Sequence, residues 1–190
     1  MEDVLINNIF EIAKDKNIEE KFCQLFIDYY EDMYKRGWIR GGCHCISSIL
    51  HIILNEFGYY NILRLGVVEI RGVVFSHSWI EYNNMIFDIA VSETNDLEIN
   101  ISGVIFSDID IKTLECGFVV YKDMIGKSPD KTGELFRDIN VGQYFEECPE
   151  GRNVFWNYII DFSKKYGKFI NLSRLKEKYS NEKWTLIKNI

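Results

Sequence analysis

Two hydrophobic periods divide the chain. From Val4 to Lys16 the apolar residues Val4, Leu5, Ile9, Phe10 and Ile12 recur at helical spacing until Asn17 breaks the pattern. Glu19 to Arg36 repeats it, with Phe22, Leu25, Phe26, Tyr29 and Met33 on one face, charges on the other, and Gly37 placed as a C-terminal cap. Trp38 to Gly42 then leads into a third helix, about Cys43 to Phe57, ended by Gly58. Ile46, Ile49, Leu50, Ile53, Leu54 and Phe57 cover much of its circumference, which predicts a central, largely buried helix.

After Gly58 the pattern changes. Ile62 to Ile70 and Val73 to Tyr82 are rich in Val, Ile, Phe and Tyr and predict two strands. Arg71-Gly72 and Asn83-Asn84 supply hairpin turns, and Met85 to Ile89 makes a third strand. Ser92 to Asp110 is polar and weakly patterned, a loop with one short strand near Val104 to Phe106. Glu115 to Lys122 reads as a further strand, 128–150 as irregular chain, Asn153 to Tyr166 as an amphipathic helix and Asn171 to Tyr179 as a short last helix. The fold class expected is α+β, in which a central helix bearing a cysteine packs on an antiparallel sheet, with additional helices at both ends. One domain spans 1–190: a helical packing segment over 1–37, a core over 38–91, and sheet completion, loops and C-terminal helices over 92–190.

Composition narrows the function. A net charge of −7 argues against nucleic acid as a partner, because phosphate binding needs a basic surface. No apolar run approaches the roughly 18 residues a membrane helix requires. Met1-Glu2-Asp3-Val4 lacks the basic start of a secretory signal, so the expected setting is cytoplasmic. The 5 cysteines, Cys23, Cys43, Cys45, Cys116 and Cys148, are odd in number, which argues against a disulfide framework. Cys43-His44-Cys45 lacks the ligand gap usual for zinc and has no second close ligand pair, so neither metal nor cofactor is expected.

The chemistry concentrates in Arg40-Gly41-Gly42-Cys43-His44-Cys45-Ile46-Ser47-Ser48. Cys43 opens a helix, where the positive end of the helix dipole favours thiolate over thiol. His77 lies in the second strand and Asp88 in the third. Pairing about the Asn83-Asn84 turn sets Asp88 opposite Trp79, diagonal to His77. Diagonal neighbours on antiparallel strands are about 7–8 Å apart at Cα, within side-chain reach. A nucleophile, a base and an orienting carboxylate can therefore meet.

These residues resemble the transglutaminase-like branch of the papain-like cysteine protease superfamily. The matching features are Gly41-Gly42-Cys43 at a helix start, the small Ser47 one turn later, Gly58 closing the helix, Arg64-Leu65-Gly66-Val67, His77-Ser78-Trp79, and Asp88. They cover roughly 38–91. The resemblance implies a transglutaminase-like fold, with Cys43 as nucleophile, His77 as general base and acid, and Asp88 as orienter. It implies an oxyanion hole that uses the Cys43 main-chain N–H after Gly42, with Trp38 as a side-chain donor by position; His44, which directly follows the nucleophile, is a candidate substrate contact by its place on the helix. Cys45 is a rival nucleophile, but only Cys43 gives the spacing to Ser47 and Gly58 that the family shows. The implied activity is hydrolysis of, or acyl transfer from, a peptide, a protein or a small amide through a thioester. Two alternatives remain: a non-catalytic binding or scaffold module, and acyl transfer like that of the arylamine N-acetyltransferases, suggested by Arg40-Gly41-Gly42.

Overall fold

The computed structural model describes residues 3–94, 103–117, 119–147 and 152–186. Its helices are α1 (Asp3–Asp15), α2 (Glu20–Arg36), α3 (Cys43–Glu56), α4 (Lys131–Asp138), α5 (Val141–Glu146), α6 (Val154–Lys165) and α7 (Leu172–Tyr179). The strands are β1 (Ile62–Ile70), β2 (Val73–Tyr82), β3 (Met85–Asp88), β4 (Ile105–Phe106), β5 (Ile109–Asp110) and β6 (Val120–Asp123), and a 3-10 turn spans Ala90–Ser92. The fold is α+β, and its sheet is antiparallel in the order β5-β4-β3-β2-β1-β6.

Helix α3 is the centre of the molecule. Every residue from His44 to Leu54 is buried, as expected for a helix that is apolar all round. Helix α2 packs alongside, and its Tyr29 hydroxyl donates to the Ile46 carbonyl in the first turn of α3 at 2.9 Å. Gly37 ends α2 in the left-handed conformation with φ 67°, open to glycine without strain.

Strand alternation separates two faces. Leu63 and Leu65 of β1 and Ile80 of β2 join the main core with α3. Val68, Ile70 and Trp79 point the other way, into a smaller cluster with Val91, Ile105 and Val119. His77 belongs by parity to the Trp79 face. The turns are as the sequence predicts: Arg71 and Gly72, and Asn83 and Asn84, all take positive φ, the two-residue form that matches strand twist.

The C-terminal half departs from expectation. The described part of the segment 92–110 holds two short strands where one was expected. They are joined through Ser107 and Asp108, both at positive φ. The strand expected over Glu115–Lys122 is β6, Val120–Asp123, and it pairs with the outer edge of β1. The stretch read as irregular, 128–150, contains α4 and α5. Asp130 caps α4 by accepting from Gly133 N, and Asn140 forms a capping box with Gln143 at the start of α5. Cys148 lies outside the described residues.

Candidate functional site

Cys43 is the first residue of α3, after Gly42 as N-cap. Gly42 is required on steric grounds, since a Cβ there would overlap the Trp38 carbonyl oxygen. Gly41 takes φ 64° and its N–H donates to the Glu93 carbonyl at 3.3 Å, tying the loop before the helix to the segment after the 3-10 turn. No side chain caps α3. Its first-turn N–H groups therefore remain available to an anion, at the positive end of the dipole.

His77 arrives from β2. The observed β2–β3 register, Ile80 opposite Phe87 and Tyr82 opposite Met85, is the one the turn predicts. Beyond Phe87 the chain leaves β2 for the 3-10 turn. Asp88 remains beside His77, with its Oδ2 2.7 Å from His77 Nε2. Nδ1 is then the ring nitrogen that serves the thiol.

Asp88 is 1% exposed, yet both oxygens are satisfied. Oδ1 accepts from Ala90 N at 3.0 Å and Val91 N at 3.2 Å, so the carboxylate also builds the 3-10 turn. Oδ2 accepts from His77 and from the Tyr121 hydroxyl at 2.8 Å. Four donors with no buried orphan atom describe a carboxylate fixed in orientation. Burial and then Asp88 push the Tyr121 phenol well above its ordinary range, so it stays a donor.

The electrostatics follow from this geometry. Burial opposes a charged Cys43. The interactions of His44 and His77 with the sulfur outweigh it and hold the thiol well below its ordinary value. Burial likewise disfavours an imidazolium at His77, but Asp88 and the Cys43 thiolate raise it to about 10. The pair is thiolate and imidazolium over the physiological range.

A pocket of about 260 Å³ opens over this pair. Gly41, Cys43, His44 and His77 form its floor, Val73, Phe75 and Ala90 an apolar wall, and Glu93, Thr94, Asp130 and Thr132 a polar one. Asp130 joins α4 to the strand next to His77: it accepts from Ser76 N at 2.8 Å and from Ser76 Oγ at 2.6 Å.

Of the residues the sequence suggests, Cys43, His77 and Asp88 are brought together, and Gly42 caps the helix that carries the thiol. Trp38 is not brought to this pocket. Its ring packs on Phe155 and Tyr158, at 5.5 and 5.9 Å between centroids, with the Arg36 guanidinium over it. Arg36 and α6 offer that indole a richer surface than the thiol does. Cys45 is buried and lines a separate groove with Phe136 and Phe155, away from His77. His44 is buried, its ring stacked on Phe136 of α4, and it lines the pocket floor beside Cys43. His51 is buried two turns along, bonded to Asn61 at 2.8 Å and to Glu182 at 3.3 Å, a structural role. Glu81 is buried and faces the Arg64 guanidinium at 3.4 Å.

Two functional contributors escape the sequence reading: Tyr121 and Asp130. Asp130 had a signal, an N-cap residue ahead of Leu135, Phe136 and Ile139 at helical spacing. Tyr121 had none, because it reaches Asp88 only through the pairing of β6 with β1. Among the described residues no group of acidic, histidine or cysteine side chains is arranged to hold a metal ion, and no helix is long and apolar enough to cross a membrane. Neither a family model, nor a curated protein, nor a solved structure matches this chain.

Proposed function

We propose that this protein is a cysteine-dependent hydrolase or acyl transferase of transglutaminase-like fold, acting in the cytoplasm on an amide bond of a peptide or protein, or on a small amide. One observation carries the reading: a thiol with a lowered pKa at an uncapped helix start, beside a histidine whose far nitrogen is bonded to a buried, four-donor carboxylate. A thiol that only filled space would be pushed up by burial, as Cys23 is, to about 11.

The steps follow from the positions. The Cys43 thiolate attacks the carbonyl carbon and a C–S bond forms. The carbonyl electron pair moves to oxygen, where the Cys43 main-chain N–H and the positive end of α3 stabilise it. As the tetrahedral species collapses, His77 Nδ1–H gives its proton to the leaving nitrogen and the C–N bond breaks. Neutral His77 then takes a proton from water or from an incoming amine, which attacks the thioester. The C–S bond breaks and the thiolate–imidazolium pair returns. Asp88 keeps the ring oriented throughout.

An activated ester tests this without knowledge of the substrate. With p-nitrophenyl acetate the protein should release one equivalent of p-nitrophenol in a burst, leaving an acetyl group on Cys43. Cys43→Ala should abolish the burst and Cys45→Ala should keep it. The burst rate should be flat through neutral pH. It should fall in acid as the thiolate is protonated and again near pH 10 as His77 loses its proton. An unchanged burst in Cys43→Ala would refute the assignment. A binding module retaining the fold would give no burst from the native chain.

A further inference from the structure

The catalytic pocket is longer than the catalytic pair needs. Beyond His77 it continues along β2 past Phe75 to Val73. These three residues alternate along one strand, so their side chains share a face and form a row about 13 Å long. Two apolar side chains therefore lead from the tip of the β1–β2 hairpin up to the reacting atoms.

The strand edge beside that row is open. In β1, Leu65 N donates to the Thr185 carbonyl at 3.1 Å, and the Leu63 carbonyl accepts from Thr185 N at 2.8 Å. The odd-numbered residues of β1 thus turn their main-chain groups away from β2, and the even-numbered ones bond to it. With Gly66 opposite His77, Val68 opposite Phe75 and Ile70 opposite Val73, the ladder bonds of β2 fall to its odd-numbered residues. Val74, Ser76 and Ser78 face outward. Two contacts agree: Ser76 N donates to Asp130 Oδ2 at 2.8 Å, and the Ser78 carbonyl accepts from Ser47 Oγ at 2.7 Å. Strand β3 takes up this edge only at Ile80. Among the described residues nothing bonds to the Val74 N–H or C=O on that side. Val73 and Val74 are 39% and 48% exposed, and residues 73–76 carry no charge. Strand edges are normally guarded by charge, proline or a cover, because an open edge invites another chain to pair. Here the cover stops at Asp130, and the gap opens into the catalytic pocket.

We infer that the substrate is an extended stretch of polypeptide, held as a short extra strand on the Val74 edge with apolar side chains laid over Phe75 and Val73. The Val74 N–H donates to a substrate carbonyl, and the Val74 C=O accepts from a substrate N–H. Val74 is three residues, about 10 Å, from His77, so the bond attacked by Cys43 lies about three residues along the substrate from the one that Val74 holds. Main-chain pairing supplies the hold, and the apolar row supplies the preference among sequences. The inference rests on the catalytic reading above and selects, from the peptides, proteins and small amides that it covers, unfolded peptide segments.

Alkylation of Cys43 by iodoacetyl peptides tests this on the native protein. Valine–alanine tetrapeptides carry the iodoacetyl group at the N-terminus in one series and on a C-terminal ethylenediamine in the other, which covers both chain directions. Each rate is divided by that of the same probe with free cysteine. In one series Cys43 should react about tenfold faster than with iodoacetamide, the gain that two net hydrogen bonds supply. N-methylation at one position of that peptide should abolish the gain, while N-methylation at the neighbouring positions should keep it. Val74→Pro removes the outward N–H and no ladder bond, a place where an edge strand accepts proline, and should cut the gain to about threefold or less. If that variant does not fold, the N-methyl series on the native chain decides. No gain in either series, or a gain indifferent to N-methylation at every position, overturns the extra-strand mode and leaves the nucleophile assignment standing. A Cys43 that iodoacetamide labels no faster than Cys116 overturns the catalytic reading itself.

Discussion

Replacing His77 by alanine is expected to slow acetylation of Cys43 by p-nitrophenyl acetate roughly a thousandfold, within the range that general acid–base groups contribute. The ring supplies both the proton for the leaving group and part of the field that holds the thiolate. Asp88→Asn should approach the same loss by a different route. Asp88 Oδ1 accepts from Ala90 N and Val91 N, so an asparagine must keep its carbonyl there. Its amide then points N–H groups at His77 Nε2 and the Tyr121 hydroxyl. The ring can meet that donor only by carrying its hydrogen on Nδ1 while neutral, and in that form it cannot accept the proton of Cys43. Burst kinetics separate the cases: both variants should keep the native fold, and both should lose the burst rate. A burst within tenfold of the native rate in His77→Ala would mean that another group carries the proton.

Gly66→Ala should be the most destabilising single-methyl change in the sheet, by about 3 kcal/mol, the upper end for overpacking a filled core. Gly66 sits opposite His77 in the β1–β2 register. A Cβ there would overlap the Trp79 ring and the Lys122 carbonyl oxygen. Neither can yield easily. Trp79 is 1% exposed and meets Tyr121 edge-on with centroids 4.9 Å apart, and Lys122 is held in the β1–β6 ladder. Movement of Trp79 would also reach Tyr121, hence Asp88 and the orientation of His77. The midpoint of denaturant unfolding measures the stability, and the burst rate should fall with it. Gly58→Ala makes the contrast: a Cβ there meets nothing within 4 Å, and only the cost of φ 92° applies.

How much of this was legible in the sequence follows from the range of each signal. Helix α3 was, because an all-round apolar segment with a glycine at each end has only one place to go. The His77–Asp88 pairing was, because a two-residue turn at Asn83-Asn84 fixes every partner on both strands. Signals fail where the element is too short or the partner too distant. β4 and β5 are 2 residues each, too short for alternation to register, and their turn at Ser107-Asp108 gives no glycine signal. Helix α5 has 6 residues and hides in a polar stretch. Tyr121 lies 33 residues from Asp88, and no local pattern foretells that β6 will return to the far edge of β1. Trp38 was placed by spacing alone, and spacing says nothing about the surface that Arg36, Phe155 and Tyr158 present to an indole.

The two most accessible cysteines among the described residues set charge against exposure. Cys116 is exposed, while Cys43 is partly buried at the floor of a pocket. At pH 6 an ordinary thiol is about 0.3% ionised, whereas a thiolate paired with imidazolium is ionised almost completely. Labelling the native protein with iodoacetamide at that pH, and counting modification at each cysteine by mass spectrometry, compares the two directly. Cys43 should react about a hundredfold faster than Cys116. Reaction of Cys116 first, with Cys43 following only as the protein unfolds, would contradict an activated nucleophile at the start of α3.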